Sequence, residues 1–348
     1  MLKRVLAAVM ILVMVAAAGC RRIHEAVPVH SVPAEVPEPF QMAYRELDAE
    51  FLRQLPMISL PSGPKADRTA FGVELPAAGG QRAEALLNEG VWETGAITLD
   101  RLKSLGVRCV ALSLHYPVLT RDHPRTSEYR SFYRRLADEI RRRGLAIVVA
   151  MGSPPRDPGL GRTGAELRGI SRERFNAGLR EMAEAILSDI RPDYLTLLSE
   201  PDTQTRNTGL AFSPSEFAAT VKHVARGLDR AGARVGAGAG TWAAQDYFKA
   251  LAALPELDYL YLHIGPIQYG FAAERVLKAA EAARSSGKRV AIGAAWLYKV
   301  WGRETGRIAP VEAASRDVFS FWQPLDRRFI ELVVDLAERI DAEFCSFS

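Results

Sequence analysis

The sequence predicts an α/β protein built as a (β/α)8 TIM barrel. Three observations carry that reading. Eight short apolar runs are spread along the chain, amphipathic helical stretches separate them, and no phosphate-binding loop follows any run. A run that is apolar throughout is buried on both faces, as in a parallel sheet covered by helices. Eight such runs alternating with helices suit a closed barrel better than an open sheet.

The elements follow in order. The apolar runs lie at 70–75, 108–114, 146–150, 194–198, 234–240, 257–263, 289–295 and 343–347. Helical periodicity appears at 99–105, 127–143, 171–190, 214–231, 244–254, 272–286 and 325–340. The stretch "VGAGAG" at 235–240 is the nearest thing to a dinucleotide loop, but its glycines run G-x-G-x-G and not G-x-G-x-x-G. It reads better as a strand of small residues. An earlier helix at 42–55 repeats apolar residues at Ala43, Leu47, Phe51 and Leu55. No helix follows the eighth run, and the 42–55 helix is expected to cover that gap.

The 348 residues are 48% hydrophobic and 25% charged, the composition of a globular chain. Residues 1–19 are set apart. Lys3 and Arg4 precede an apolar run too short to span a bilayer comfortably, and Ala17-Ala18-Gly19 leads to Cys20. This resembles a bacterial lipoprotein signal peptide, which implies cleavage before Cys20, lipidation of Cys20 and membrane anchoring of an exported protein. A plain secretory signal and an uncleaved anchor are the alternatives. Arg21 stands where an Asp is linked to inner-membrane retention, so the resemblance tilts toward the outer membrane. Residues 20–40 carry Pro28, Pro33, Pro37 and Pro39 and read as a tether reaching at most roughly 60 Å. The barrel domain then occupies 41–348.

Removing Lys3 and Arg4 lowers the formal charge from +4 to +2, which gives no electrostatic case for nucleic acid. Cys109 and Cys345 sit in apolar runs and read as buried thiols; sequence does not show whether their strands are neighbours.

Barrel enzymes place their chemistry at the carboxyl ends of the strands. Here those ends supply Glu74, then His115 and Tyr116, then Ser153, Arg156 and Asp157. The fourth supplies Ser199, Glu200 and Asp202, the fifth Thr241 and Trp242, and the sixth His263, Gln268 and Tyr269. The seventh supplies Trp296, Tyr298, Lys299 and Trp301, with Glu304 and Trp322 further along its loop. Sugars offer C–H faces that stack on aromatic rings and hydroxyls that need directional partners. Trp242, Trp296, Trp301 and Trp322, all in loops after strands, therefore favour a carbohydrate cleft, while loop packing is the plainer account of any one of them. No H-E-x-x-H or G-x-S-x-G motif occurs, so no metal or other cofactor is expected. Lys299 could form a Schiff base, but an ordinary loop lysine is the simpler reading.

Three segments resemble clan A glycoside hydrolases: "YLTLLSEPD" their fourth strand, "DYLYLHIGPIQYG" their sixth and "VAIGAAW" their seventh. The resemblance runs in order over residues 70–348. It implies Glu200 as acid/base, with Ser199, His115, Tyr116, Trp242, His263, Tyr269, Trp296 and Tyr298 as substrate-binding candidates. It also exposes two departures. Ala294 occupies the position of the nucleophilic Glu, and Ser199 that of an Asn which contacts the sugar. Retaining hydrolysis needs two carboxyl groups roughly 5 Å apart, inverting hydrolysis two roughly 6.5–9.5 Å apart. Glu74, Asp202 and Glu304 are the candidate second carboxylates. Two functions stay open: a hydrolase with a non-standard second acid, or a catalytically inactive pseudo-glycosidase that binds glycans or a partner. Glu200 could also be a brace bonded to Arg156 or His115.

Overall fold

The computed structural model describes residues 32–58, 68–75, 85–153, 167–308 and 310–348. Residues 1–19, expected to be a signal peptide, as well as Cys20, Arg156 and Asp157, lie outside these residues. Eight parallel strands close into a barrel in chain order, with the first paired to the last. They are β1 (Ala70–Glu74), β2 (Cys109–His115), β3 (Ala146–Gly152), β4 (Tyr194–Thr196), β5 (Arg234–Gly240), β6 (Tyr259–Ile264), β7 (Arg289–Ala295) and β8 (Phe344–Phe347). Each predicted apolar run coincides with one of them, although β2, β3 and β6 run one or two residues past the predicted ends.

The helices are α1 (Glu38–Ile58), α2 (Glu89–Ser104), α3 (Thr126–Arg142), α4 (Arg172–Asp189), α5 (Pro201–Thr208), α6 (Pro214–Ala225), α7 (Gln245–Ala252), α8 (Ala273–Ser285), α9 (Pro310–Ser315) and α10 (Gln323–Arg339). Among the described residues, none is long and apolar enough to cross a membrane. Helix α6 stops at Ala225, short of the 214–231 periodicity, because Arg226 turns to an extended ψ of 119° and Gly227 takes φ +71°. Its start is a full capping box: Ser213 accepts from the Glu216 N–H (3.3 Å), and the Glu216 carboxylate accepts from the Ser213 N–H (2.8 Å). Ser213→Ala is expected to cost about 1 kcal/mol, read as a lower urea midpoint at unchanged slope.

Two apolar regions build the protein. One lies between the strands and the helices; the other fills the barrel with Cys109, Ala111, Val148, Tyr259, Tyr261, Ala291 and Phe344. The glycines of "VGAGAG" make the second possible. A Cβ on Gly236 would fall 2.4 Å from the Tyr259 ring, and one on Gly240 2.3 Å from the Trp242 indole. The large side chains of β6 and of the β5 exit thus occupy the space that β5 gives up. Cys109 and Cys345 are both buried free thiols, on strands separated by β1.

Helix α1 does not fill the place after β8. It packs on α10 and α8, the helices that follow β7 and β6. Tyr44 stacks on Trp322 (5.7 Å), and the buried Gln54 amide bonds the Ile267 carbonyl (2.5 Å) and the Ala273 N–H (2.9 Å). Glu46 accepts from the Gly302 N–H (2.7 Å). These bonds tie α1 to the β6 and β7 loops, so it braces the rim of the barrel.

Candidate functional site

The site grows from the turn after β4. Pairing with β5 continues through Leu198, and the chain then reverses sharply into α5. Glu200 makes that reversal with φ 52° and ψ 73°, a left-handed conformation that is uncommon outside glycine. Pro201 starts the helix, where its missing N–H costs nothing. One turn on, the buried Gln204 amide accepts from the Ser153 N–H (2.9 Å) and donates to the Ser199 carbonyl (2.9 Å). Asn207 donates to Ser153 Oγ (2.9 Å). The ends of β3 and β4 are thereby locked together beneath the unusual backbone of Glu200. Strain held this way is a feature of functional positions.

The Glu200 carboxylate meets His263 Nδ1 at 2.5 Å through one oxygen and accepts from Thr203 Oγ1 at 2.8 Å through the other. Burial pushes its pKa up, but the His263 charge, these two hydrogen bonds and Arg206 together outweigh burial and hold it below the usual value. Glu200 is therefore an ionised acceptor at neutral pH. Its side chain keeps 24% exposure, so a ligand can reach it. His263 Nε2 is buried and meets no hydrogen-bond partner among the described residues.

Strand β7 brings the next feature. Its register against β6 shifts at one extra residue, so that Leu262 pairs with Ile292 but His263 with Ala294. The extra residue is Gly293, whose Cβ would fall 1.6 Å from the Tyr261 ring. The shift sets Ala294, only partly buried, level with His263. Tyr261 meets the His263 ring edge-on at 4.9 Å. Burial drives its phenol well above the ordinary value, with smaller contributions from the charges of Tyr259, Glu74 and Glu200, so it stays protonated. Glu74, at the end of β1, accepts from Ser113 Oγ at 2.7 Å.

Two tryptophans flank this centre. Trp242, after β5, donates its indole N–H to Asp202 (3.1 Å). Trp296, after β7, donates to Asp317 (2.8 Å) and is met edge-on by Tyr298 (5.2 Å). Both rings are partly exposed. Among the described residues no group of three His, Cys, Asp or Glu could hold a metal ion.

No protein-family model and no curated protein matches the chain in sequence. Solved structures match its fold. The exo-beta-1,4-mannosidase Op5Man5 from Opitutaceae bacterium strain TAV5 superposes with a TM-score of 0.55 at 14% identity, over 83% of this chain and 54% of that one. The beta-glycosidase BGL167 gives 0.51 at 14%, over 82% and 87%. GH5_18 from Bifidobacterium longum subsp. longum ATCC 55813 gives 0.51 at 15%, over 81% and 69%. What they share with this chain is the closed eight-stranded parallel (β/α)8 barrel. This chain spans about half the length of the mannosidase.

Several expected site residues are held by other contacts. Tyr116 is buried against Phe175 (5.9 Å), and its ring occupies the space a Cβ on Gly178 would need, so α4 holds it in packing. Trp322 is fully buried beneath Tyr44 and Phe40 and belongs to the core, not to the cleft. Tyr269 is 62% exposed at a loop tip, with its ring 5.6 Å from Phe271. Glu304 is clamped by Arg316 through two 2.8 Å bonds, and Asp202 is engaged by Trp242 and Arg206. Lys299 lies in the loop after β7 but is not an ordinary surface lysine: it is buried between Asp317 (2.5 Å) and Asp326 (2.9 Å). The Glu200 carboxylate takes His263 and Thr203; Arg156, one of the two expected braces, lies outside the described residues. Sequence reading missed Thr203, Gln204 and Asp317. The first two were within reach, because Pro201 followed by Asp202 is a helix-start signal and places residues 203 and 204 one turn from Glu200.

Proposed function

We propose that this chain is an exported, lipid-anchored barrel whose cleft binds carbohydrate without the retaining double displacement. The observation that carries this is the Glu200–His263 pair set level with Ala294. A general acid must hold a proton at working pH, whereas Glu200 is held as the carboxylate. Strand β7 offers a methyl group where a nucleophile would stand. In this reading Glu200 accepts from sugar hydroxyls, His263 Nε2 supplies a further hydrogen bond, and Trp242 and Trp296 stack on sugar faces. The anchor rests on the order of charge, apolar run and Cys20 alone.

Titration calorimetry with cello-, manno-, xylo- and chitohexaose tests the site. Wild type is expected to bind at least one of them and release no reducing sugar from it. Glu200→Gln should weaken that binding roughly 10-fold, since hydrogen bonds to charged groups are worth about 1.5–3 kcal/mol. Reducing-sugar release by wild type that Glu200→Gln abolishes would replace this reading with a catalytic one.

One observation favours that second reading. Glu74 ends β1 at the same carboxyl rim that carries Glu200, which makes it the candidate second acid for an inverting reaction. Glu74→Gln would then abolish release as completely as Glu200→Gln.

A further inference from the structure

The seventh loop holds a charged array that the functional reading does not use. Its centre is Lys299, with 5% of its side chain exposed and two aspartates on its ammonium. Asp326 comes from α10 and Asp317 from the loop before it. Burial pushes the Asp326 carboxyl up despite Lys299, and both aspartates stay in contact with the ammonium. Asp317 spends one oxygen on Lys299 and the other on the Trp296 indole (2.8 Å). The side chain of the preceding Arg316 donates to the Lys299 carbonyl (2.8 Å) and clamps Glu304.

Trp296 is fixed at three points. Its backbone N–H bonds the Ile264 carbonyl at the end of β6 (3.0 Å), Tyr298 meets its ring, and the indole N–H reaches Asp317. An indole has one donor and no acceptor, so the last bond sets the rotation of a ring that is otherwise partly exposed. A stacking face helps binding only if it already has the bound orientation, since ordering a loose side chain opposes association.

Resting on the glycan reading of the cleft, we infer that Asp317 is a positioning residue that presents the Trp296 ring to sugar, with Lys299 fixing the aspartate in turn. This assigns specificity to a residue in the long loop 21 positions beyond the tryptophan it serves.

The test uses the full chain in detergent with the four hexaoses. Asp317→Leu should weaken binding about 10-fold, whereas Asp317→Asn, which keeps an acceptor oxygen for the indole, should stay within about threefold of wild type. Trp296→Ala should weaken binding similarly, and adding Asp317→Leu to it should change little, because the two act as one unit. The Trp296 indole N–H resonance, identified by its loss in Trp296→Phe, should exchange with solvent faster in Asp317→Leu. If that variant does not fold, Asp317→Ser replaces it with the same expectations. Wild-type affinity in Asp317→Leu, or additive losses in the double variant, overturns the inference and leaves the glycan reading standing. A wild-type chain that binds no hexaose sinks both.

Discussion

Gly238→Ala is expected to lose at least about 3 kcal/mol of stability, the upper end of what overpacking usually costs. A Cβ at this position would lie 1.5 Å from the Tyr261 carbonyl oxygen and 2.4 Å from its carbonyl carbon. The obstacle is the neighbouring strand, so no rotamer change relieves it. Gly238 and Tyr261 are register partners between β5 and β6, and forcing them apart opens the barrel wall. The same displacement would move His263, two residues on from Tyr261, away from Glu200. The control is Gly95 inside α2, where a Cβ meets nothing within 4 Å. Gly95→Ala should stabilise by about 0.5–1 kcal/mol. Urea midpoints measure both, and a Gly238→Ala protein that unfolds at the wild-type midpoint refutes the account of β5.

Glu343→Gln is expected to cost about 2 kcal/mol at neutral pH. Just before β8, at the amino ends of the strands, Glu343 collects Arg289 (2.6 Å), Arg234 and the Tyr194 hydroxyl (2.9 Å) while only 9% of its side chain is exposed. Removing one partner from an enclosed ion pair typically costs about 3–5 kcal/mol. The two arginines here are half-exposed and can rehydrate, which lowers the figure. The pH dependence has a definite sign. Burial raises the Glu343 pKa, but the bonds from Arg289 and Tyr194 and the arginine charges outweigh it and hold the carboxyl below its ordinary value. A depressed carboxylate stabilises the fold above its unfolded pKa of about 4.3 and loses that contribution as pH falls through the folded value. The gap between wild type and Glu343→Gln should therefore be constant from pH 6 to 8 and close in acid. A gap that widens below pH 4 contradicts the assignment.

The strands were legible because a parallel strand buried on both faces must be predominantly apolar, and each of the eight runs is, with its charged residues at or next to the ends. The "VGAGAG" stretch was legible as a strand, but the clearance it provides for Tyr259 and Trp242 was not. Helix α5 escaped because eight residues of mostly polar sequence carry no apolar stripe. Only Pro201 and Asp202 marked its start.

The site divides in the same way. Glu200 could be singled out because a carboxylate leaving an apolar run at Ser199-Glu200-Pro201 breaks the local pattern. Its partner lies 63 residues away; His263 stood out as the residue leaving strand six, but nothing in one dimension pairs it with Glu200. The four loop tryptophans look alike in one dimension. Trp296 and Trp242 border the Glu200–His263 pair, while Trp322 is sealed under α1.

The sequence by itself determined the barrel, since alternation and burial are local properties of composition and period. It also determined that strand seven ends without a carboxylate, because Ala294 can supply none in any fold. Tertiary structure alone decided which partners the charged groups take: Glu200 the His263 ring and Thr203, Glu304 Arg316, and Lys299 both Asp317 and Asp326. The energy of an ionised group depends on distance and on the solvent excluded around it. Closure of the ring and the course of the long seventh loop set both.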